Sequence, residues 1–339
     1  MIRAKELASL LGVSQATLSL VLNDKPGICQ ETRTRLRRQI AEMGYGYMLS
    51  GKAEDETPEK GSLAFLIYPV CPDCGDASAF YGPVMEGAAA AAQEQGYSML
   101  VCHVNPTGGC TPERCLGGKD IRGFVVQKPC LTDIDLAELR QLNLPFVMLD
   151  TYYMDEEVNS VSVNNEQGVW KLIAHLRTQG HERIGYLGCG VERATFCERK
   201  DYYKLILCRL GLPRREAWCV DIAQPEELEA LMAQPDAPTA FLADNDVVAW
   251  KGIQRLQSMG LKVPEDVSVV GFEDREIASV ANPGLTTVRV PDRTLGRDAA
   301  ELLLKKIERR AKGEPEEYSK LELGVELVVR ESTAPVKNQ

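Results

Sequence analysis

From Ser62 onward the chain alternates between short apolar runs and longer stretches with helical periodicity, and nothing else in it restricts the fold as much. The first series reads "SLAFLIYPV", "YGPVMEGAAAAAQEQG", "YSMLVCHV", "IRGFVVQ", "LAELRQLN" and "PFVMLD". A second series reads "GVWKLIAHLRTQG", "RIGYLGC", "RKDYYKLILCRLG", "PTAFLAD", "NDVVAWKGIQRLQSMG" and "VSVVGFED". Strands this apolar must be covered on both faces, which crossover helices between parallel strands achieve. Two α/β lobes with doubly wound parallel sheets follow, each with its ligand positions beyond the carboxyl ends of its strands. Two such lobes facing one another enclose a cleft.

The opening of the chain is built differently. "LASLLGVSQATLSLVLND", Leu7 to Asp24, places apolar residues at helical spacing on both sides of a Gly-Val-Ser. A helix over about 3–11 presents Leu7, Leu10 and Leu11, and Gly12 ends it in a left-handed conformation. Ser14 caps a second helix whose apolar face is Leu18, Val21 and Leu22. A third helix, about Gln30 to Met43, turns Ile40 and Met43 inward and Arg33, Arg35, Arg37 and Arg38 outward. Two short helices around so tight a turn make a helix-turn-helix, whose second helix enters the DNA major groove. Gln15 is the best direct reader, because its amide pairs bidentately with adenine. Ser14, Thr17, Ser19 and Asn23 suit phosphates, and Ala16 and Leu20 complete the DNA-binding set, Leu20 as a side chain that can touch a thymine methyl.

Charge separates these parts. The chain has 339 residues and a net charge of −10, but residues 1–52 hold eight Lys/Arg against four acids, leaving the remainder at −14. A basic head on an acidic body directs only the head toward a polyanion; the competing reading of the same charges is a solvated helix surface. "SGKAEDETPEKG", Ser50 to Gly61, is polar, acidic and broken by Pro58, as a linker is. No apolar run approaches the ~18 residues of a membrane span, and the amino terminus lacks a secretory pattern. The expectation is a cytoplasmic protein that does not meet a membrane.

"GVSQATLSLVLND" followed by "ETRTRLRRQIAEMGY" resembles the DNA-binding head of the LacI/GalR family of transcriptional regulators. The resemblance continues through "NNEQGVWKLIAHLRTQGHERIGYLG", "PTAFLADNDVVAWKGIQRLQSMGLKVPEDVSVVGFED", "LTTVRVPDRTLGRDAAELLL" and "ELVVREST", in family order. It implies a head over residues 1–46, a hinge over 47–60 and a core shaped like a periplasmic binding protein over 61–333, with a tail at 334–339. Its lobes would be discontinuous, about 61–155 with 286–316 and 156–285 with 317–333. It also implies a homodimer on a pseudo-palindromic operator, usually acting as a repressor, with a small effector in the cleft. Such an effector acts only through different affinities for two conformations. No cofactor is expected.

The resemblance carries the effector site onto Phe80, Tyr81, Asp150, Arg199, Asn245 and Glu273, a set suited to a sugar or sugar phosphate. Glu273 and Asn164 replace family aspartates, and Ile222 falls where an aromatic often stacks. Leu20 stands where the family usually has arginine, and leucine cannot hydrogen-bond guanine. The hinge departs further: Tyr47 and Met48 replace Pro-Asn, Leu49 or Met48 is the candidate minor-groove wedge, and Glu54, Asp55, Glu56 and Glu59 would repel phosphates. A sensor of the same fold with weakened or lost operator binding is therefore the alternative function.

The 11 cysteines point to reduced thiols. Three readings of "CPDC" (Cys71, Cys74) and "CTPERC" (Cys110, Cys115) stand open: a tetrahedral zinc site, a dithiol switch, or unconnected thiols. Both pairs follow first-lobe strands, with Cys102, His103 and Cys130 close by in the sequence. The chain has no P-loop, Gly-x-Ser-x-Gly or His-Glu-x-x-His and only His103, His175 and His181, so an enzyme is not expected. The hinge and Leu20 predict weaker operator binding than a typical family member shows. Duplex selection followed by titration at physiological salt checks this, and nanomolar affinity for the selected duplex would refute it.

Overall fold

The computed structural model describes residues 4–23, 25–43, 45, 60–69, 77–105, 108–128, 133–151, 156–191 and 193–337. The chain divides into two compact units, Met1–Pro58 and Glu59–Gln339. No helix among the described residues is long and apolar enough to cross a membrane.

The first unit contains α1 (Ala4–Leu10), α2 (Gln15–Leu22) and α3 (Gln30–Glu42). Leu7, Ala8, Leu18, Val21, Leu22, Leu36 and Ile40 form its core. Gly12 turns the chain at φ +65°, a conformation that costs other residues a Cβ clash. The Ser14 hydroxyl then accepts from Thr17 N at 3.0 Å, satisfying one orphan amide of α2.

Four expectations about facing fail in this unit. Leu10 and Met43 point outward, 61% and 41% exposed. Arg33 and Arg37 are buried instead, while Arg35 and Arg38 are exposed. The helical period explains the arginines: Arg33, Leu36, Arg37 and Ile40 stand at i, i+3, i+4 and i+7, so they share the inward face. Their aliphatic stems pack there, and the Arg33 guanidinium donates to the Lys25 carbonyl at 2.5 Å.

The second unit begins with β1 (Ser62–Ile67), α4 (Ala77–Glu94), β2 (Ser98–His103), α5 (Pro112–Leu116), β3 (Ile121–Gln127), α6 (Asp133–Gln141), β4 (Phe146–Leu149) and β5 (Ser160–Val163). It continues with α7 (Asn165–Thr178), β6 (Ile184–Gly188), α8 (Ala194–Arg209), β7 (Cys219–Asp221), α9 (Pro225–Met232), β8 (Ala240–Ala243), α10 (Asp246–Ser258) and β9 (Ser268–Val270). It closes with α11 (Glu276–Val280), β10 (Thr287–Arg289), α12 (Asp292–Ala311), β11 (Lys320–Leu323) and β12 (Glu326–Val328).

Two parallel sheets result, ordered β11-β5-β4-β3-β1-β2 and β7-β6-β8-β9, with β10 and β12 as an antiparallel pair. Leu63 to Leu66 in β1 and all of β8 are buried, as strands covered on both faces must be. This is the expected doubly wound architecture.

The crossovers lie elsewhere than the resemblance implied. Ser160–Val163 and Lys320–Leu323, assigned to the second lobe, pair in parallel with each other and complete the first sheet. Thr286 and Arg289, assigned to the first lobe, bridge instead to Val270 and Glu273 of the second. The sheets recruit these segments because β5 is buried throughout and needs a neighbour on both edges. The expected tail is also docked: Ala334 N donates to Ser268 Oγ at 3.1 Å, and Val336 N donates to the Gln179 carbonyl at 2.9 Å.

Helices α4 and α12 meet closely in the first lobe. A Cβ on Gly296 would lie 1.8 Å from the Val84 carbonyl oxygen, and one on Gly87 would lie 2.0 Å from that of Arg293. Backbone occupies the space in both cases, so neither position admits a side chain. Gly296→Ala is expected to force the helices apart and destabilise the second unit by about 2 kcal/mol; urea unfolding followed by circular dichroism measures it, and an unchanged midpoint would contradict the packing.

Candidate functional site

In the first unit the exposed face of α2 carries Gln15, Ala16 and Ser19, with Asn23 just beyond its end. The Asn23 amide donates to the Ser19 carbonyl at 2.9 Å, and Ser14 Oγ lies 2.8 Å from Thr17 Oγ1. Ser14 and Thr17 thus serve the start of the helix, and Ser19 and Asn23 its end. Leu20 is half-buried, and its Cδ1 would be 3.1 Å from a Cβ on Gly27. It lies against the turn after α2. Leu49 and Met48 lie outside the described residues.

In the second unit the carboxyl ends of the two sheets converge. Asp150 follows β4 at φ +54° and is buried. Tyr81 stands in α4, and its hydroxyl accepts from Gln127 Nε2 at the end of β3. Both sense charges from the second lobe: Arg199, Glu273 and Arg193 act on Asp150, and Arg193 and Glu273 act on Tyr81. The six-residue effector set is therefore brought together in part. Tyr81, Asp150, Arg199 and Glu273 form one electrostatic cluster, and the Phe80 side chain lies outside the described residues.

Arg199 is the centre of the second-lobe half. It is 1% exposed and donates to Asn165 Oδ1 at 2.9 Å, to the Asp244 carbonyl at 2.7 Å and to Glu273 Oε1 at 3.2 Å. Its guanidinium also lies 3.8 Å from the centre of the Phe272 ring, a stacked cation–π contact. Glu273, at φ +108°, grips Arg275 through its other oxygen at 3.1 Å, and Arg275 reaches Asp292 at 3.1 Å. Burial acts to raise the Glu273 carboxyl, but Arg275 and Arg199 outweigh it and hold the group below its ordinary range. Asp150 has no such clamp: burial, with Glu273 adding to it, pushes its carboxyl up to about 7.

Asn245 caps α10 through Oδ1, which accepts from Val248 N at 3.0 Å. Asn164 caps α7 in the same way, accepting from Gln167 N at 2.7 Å. Ile222 packs with the second-lobe core. Asp246 joins three elements, accepting from Arg275 N at 2.7 Å and from the Thr287 hydroxyl at 2.6 Å.

Three residues at the cluster were not expected. Gln127 had a signal: a polar residue closing the otherwise apolar run "FVVQ", at a carboxyl strand end where ligands bind. Arg275 and Asp292 had none, because only the fold sets them beside Glu273.

Among the cysteines, Cys71, Cys74 and Cys130 lie outside the described residues. Cys110 and Cys115 approach to 3.2 Å between sulfurs. No group of three or more His, Cys, Asp or Glu suited to a metal occurs among the described residues.

Comparison with known proteins places this arrangement. Residues 4–46 match the model for bacterial regulatory proteins of the lacI family, and residues 173–333 match that for a periplasmic binding protein-like domain. The HTH-type transcriptional repressor PurR of Aliivibrio salmonicida (strain LFI1238) is 27% identical over 340 residues, spanning 97% of this chain and 98% of that protein. A LacI family transcriptional regulator from Mycobacterium smegmatis superposes with a TM-score of 0.68 at 26% identity, over 81% of this chain and 100% of the other. The transcriptional regulator CelR–cellobiose complex does so at 0.66 and 25% identity, over 98% of this chain and 100% of the other. With a lacI-type head, a binding-protein-like core and whole-length similarity in one order, the chain belongs to the lacI family of bacterial regulatory proteins.

Proposed function

We propose that this chain is a ligand-controlled repressor that binds a pseudo-palindromic operator as a homodimer and takes a neutral, sugar-like effector between its lobes. The ligand class is carried by one observation: Gln127 Oε1, Asp150 Oδ1 and Asp292 Oδ1 are buried acceptors with no hydrogen-bond partner among the described residues, beside the guanidinium groups of Arg193, Arg199 and Arg275. A buried acceptor without a donor costs about 1–3 kcal/mol, so the occupant should bring donors, as hydroxyl groups do. Arg199 and Arg275 already share Glu273, and Arg275 also holds Asp292. An anionic ligand would compete with carboxylates for these cations, whereas a polyol would leave the pairs intact. The similarity to the CelR–cellobiose complex supports the same class.

On the DNA side, Gln15 is the reading residue this proposal rests on, exposed near the start of α2. The second reading, a sensor with weakened operator binding, is favoured by Leu20, which folds over Gly27 rather than standing free for a base. Duplex selection separates the two: a repressor enriches a palindrome that Gln15→Ala no longer enriches, and a pure sensor enriches none.

Neutral mono- and disaccharides are expected to raise the melting temperature, with sugar phosphates weaker. Gln127→Leu and Asp150→Leu should each weaken the responding sugar about tenfold by calorimetry, the loss of one hydrogen bond to a buried group. Tighter binding of the phosphorylated sugar would refute the neutral class.

The same carboxyls predict a pH dependence. Burial pushes Asp150 up to about 7, Asp246 to about 8 and Asp292 to about 6, against ~3.9 for an unfolded aspartate. The folded chain keeps protons that the unfolded chain releases, so these groups lower stability as pH rises from about 4 through their folded values. Asp150→Asn is expected to make that decline shallower by about 1.4 kcal/mol per pH unit near pH 5–6. Urea unfolding across that range, without ligand, measures it, and an unchanged slope would count against a protonated Asp150.

A further inference from the structure

Three cysteines gather at the end of β2 and in its connection to β3. Cys102 is the fifth residue of β2, and Cys115 lies in α5. Cys110 closes a small turn: Asn105 N donates to the Cys110 carbonyl at 2.9 Å, Cys110 N returns a bond to the Asn105 carbonyl at 3.0 Å, and Gly108 N donates to Asn105 Oδ1 at 3.0 Å. The segment is tied at two further points. Arg114 Nη1 donates to the Gly109 carbonyl at 2.7 Å, and Lys119 Nζ donates to the Cys115 carbonyl at 2.8 Å. These bonds hold Cys110 Sγ and Cys115 Sγ 3.2 Å apart, while the Cys102 thiol, also beside the Cys115 side chain, donates to the Cys115 carbonyl oxygen at 3.9 Å.

A disulfide needs a sulfur separation of about 2.05 Å. The gap here exceeds that by little more than 1 Å, within the reach of small side-chain rotations. The two sulfurs differ in access, since Cys110 is half-buried and Cys115 is buried. We propose that Cys110 and Cys115 form a redox modification site, at which a hydroperoxide oxidises Cys110 and Cys115 then closes an intramolecular disulfide.

The chemistry balances in two steps. The Cys110 sulfur attacks the distal peroxide oxygen; the O–O bond breaks, an S–O bond forms, and the thiol proton leaves with the alcohol or water released. The Cys115 sulfur then attacks the Cys110 sulfur; an S–S bond forms, the S–O bond breaks, and hydroxide departs with the Cys115 proton as water. Two thiols lose two electrons and one peroxide gains them. Burial raises the Cys115 thiol, which assigns the first attack to Cys110 and the closing step to Cys115. The bond would form at the same carboxyl rim of the first sheet as Gln127, because β2, β1 and β3 run parallel.

The test uses the full chain treated with hydrogen peroxide, alkylated with iodoacetamide and digested with trypsin. Cleavage after Arg114 and Lys119 releases Cys115 in the short peptide "CLGGK", separate from Cys110. The expected product is that peptide linked to Cys110 with the loss of two hydrogens, the assignment made by fragmentation, and dithiothreitol should restore alkylation of both thiols. Cys110→Ser and Cys115→Ser, with folding verified by circular dichroism, should each abolish the linked product. Full alkylation of Cys115 after peroxide, or its linkage to any other cysteine in the untreated sequence background, would overturn the assignment.

Discussion

A guanidinium with 1% exposure governs the second lobe. Removing such a charge from water costs several kcal/mol unless partners surround it. Arg199 on α8 therefore draws in Asn165 at the start of α7, the carbonyl of Asp244 after β8, and Glu273 after β9. Glu273 stays at an unfavourable positive φ because both of its oxygens are held by arginines. The carboxyl edge of the second sheet thereby carries a network of buried, paired charges.

The first sheet presents the opposite condition. Gln127 is engaged with Tyr81 through its nitrogen, but its oxygen and one oxygen of Asp150 have no donor. Buried arginines on one side and the buried acceptors Gln127 Oε1 and Asp150 Oδ1 on the other are the features on which the proposed effector class rests. On the proposed reading, a ligand that contacts both lobes would favour one conformation over the other.

Much of this was legible in residue order. The alternation after Ser62 specified parallel sheets, and Gly12 with Ser14 specified the turn and cap of the head. The errors share a cause. Leu10, Met43, Arg33 and Arg37 were misfaced because polarity was weighed above helical spacing, whereas a long arginine can bury its stem and still satisfy its head. Asn245 also caps α10 through its oxygen, a role its place in the motif does not show. Leu20 lies against Gly27, a contact that helical spacing does not show.

Sequence alone determined the class of the fold, the two-part organisation and the family, because periodicity, turn residues and motif order are properties of adjacent positions. Tertiary structure alone decided which strand closes which sheet, as with Ser160–Val163 and Lys320–Leu323, and which charges meet. Glu273 stands beside Arg275 in the chain, but its grip on Arg199 spans 74 positions, and the contact of Arg275 with Asp292 spans 17. Such pairings follow from burial, since a charge inside the protein must be matched by whatever group the packing brings to it, at whatever distance along the chain.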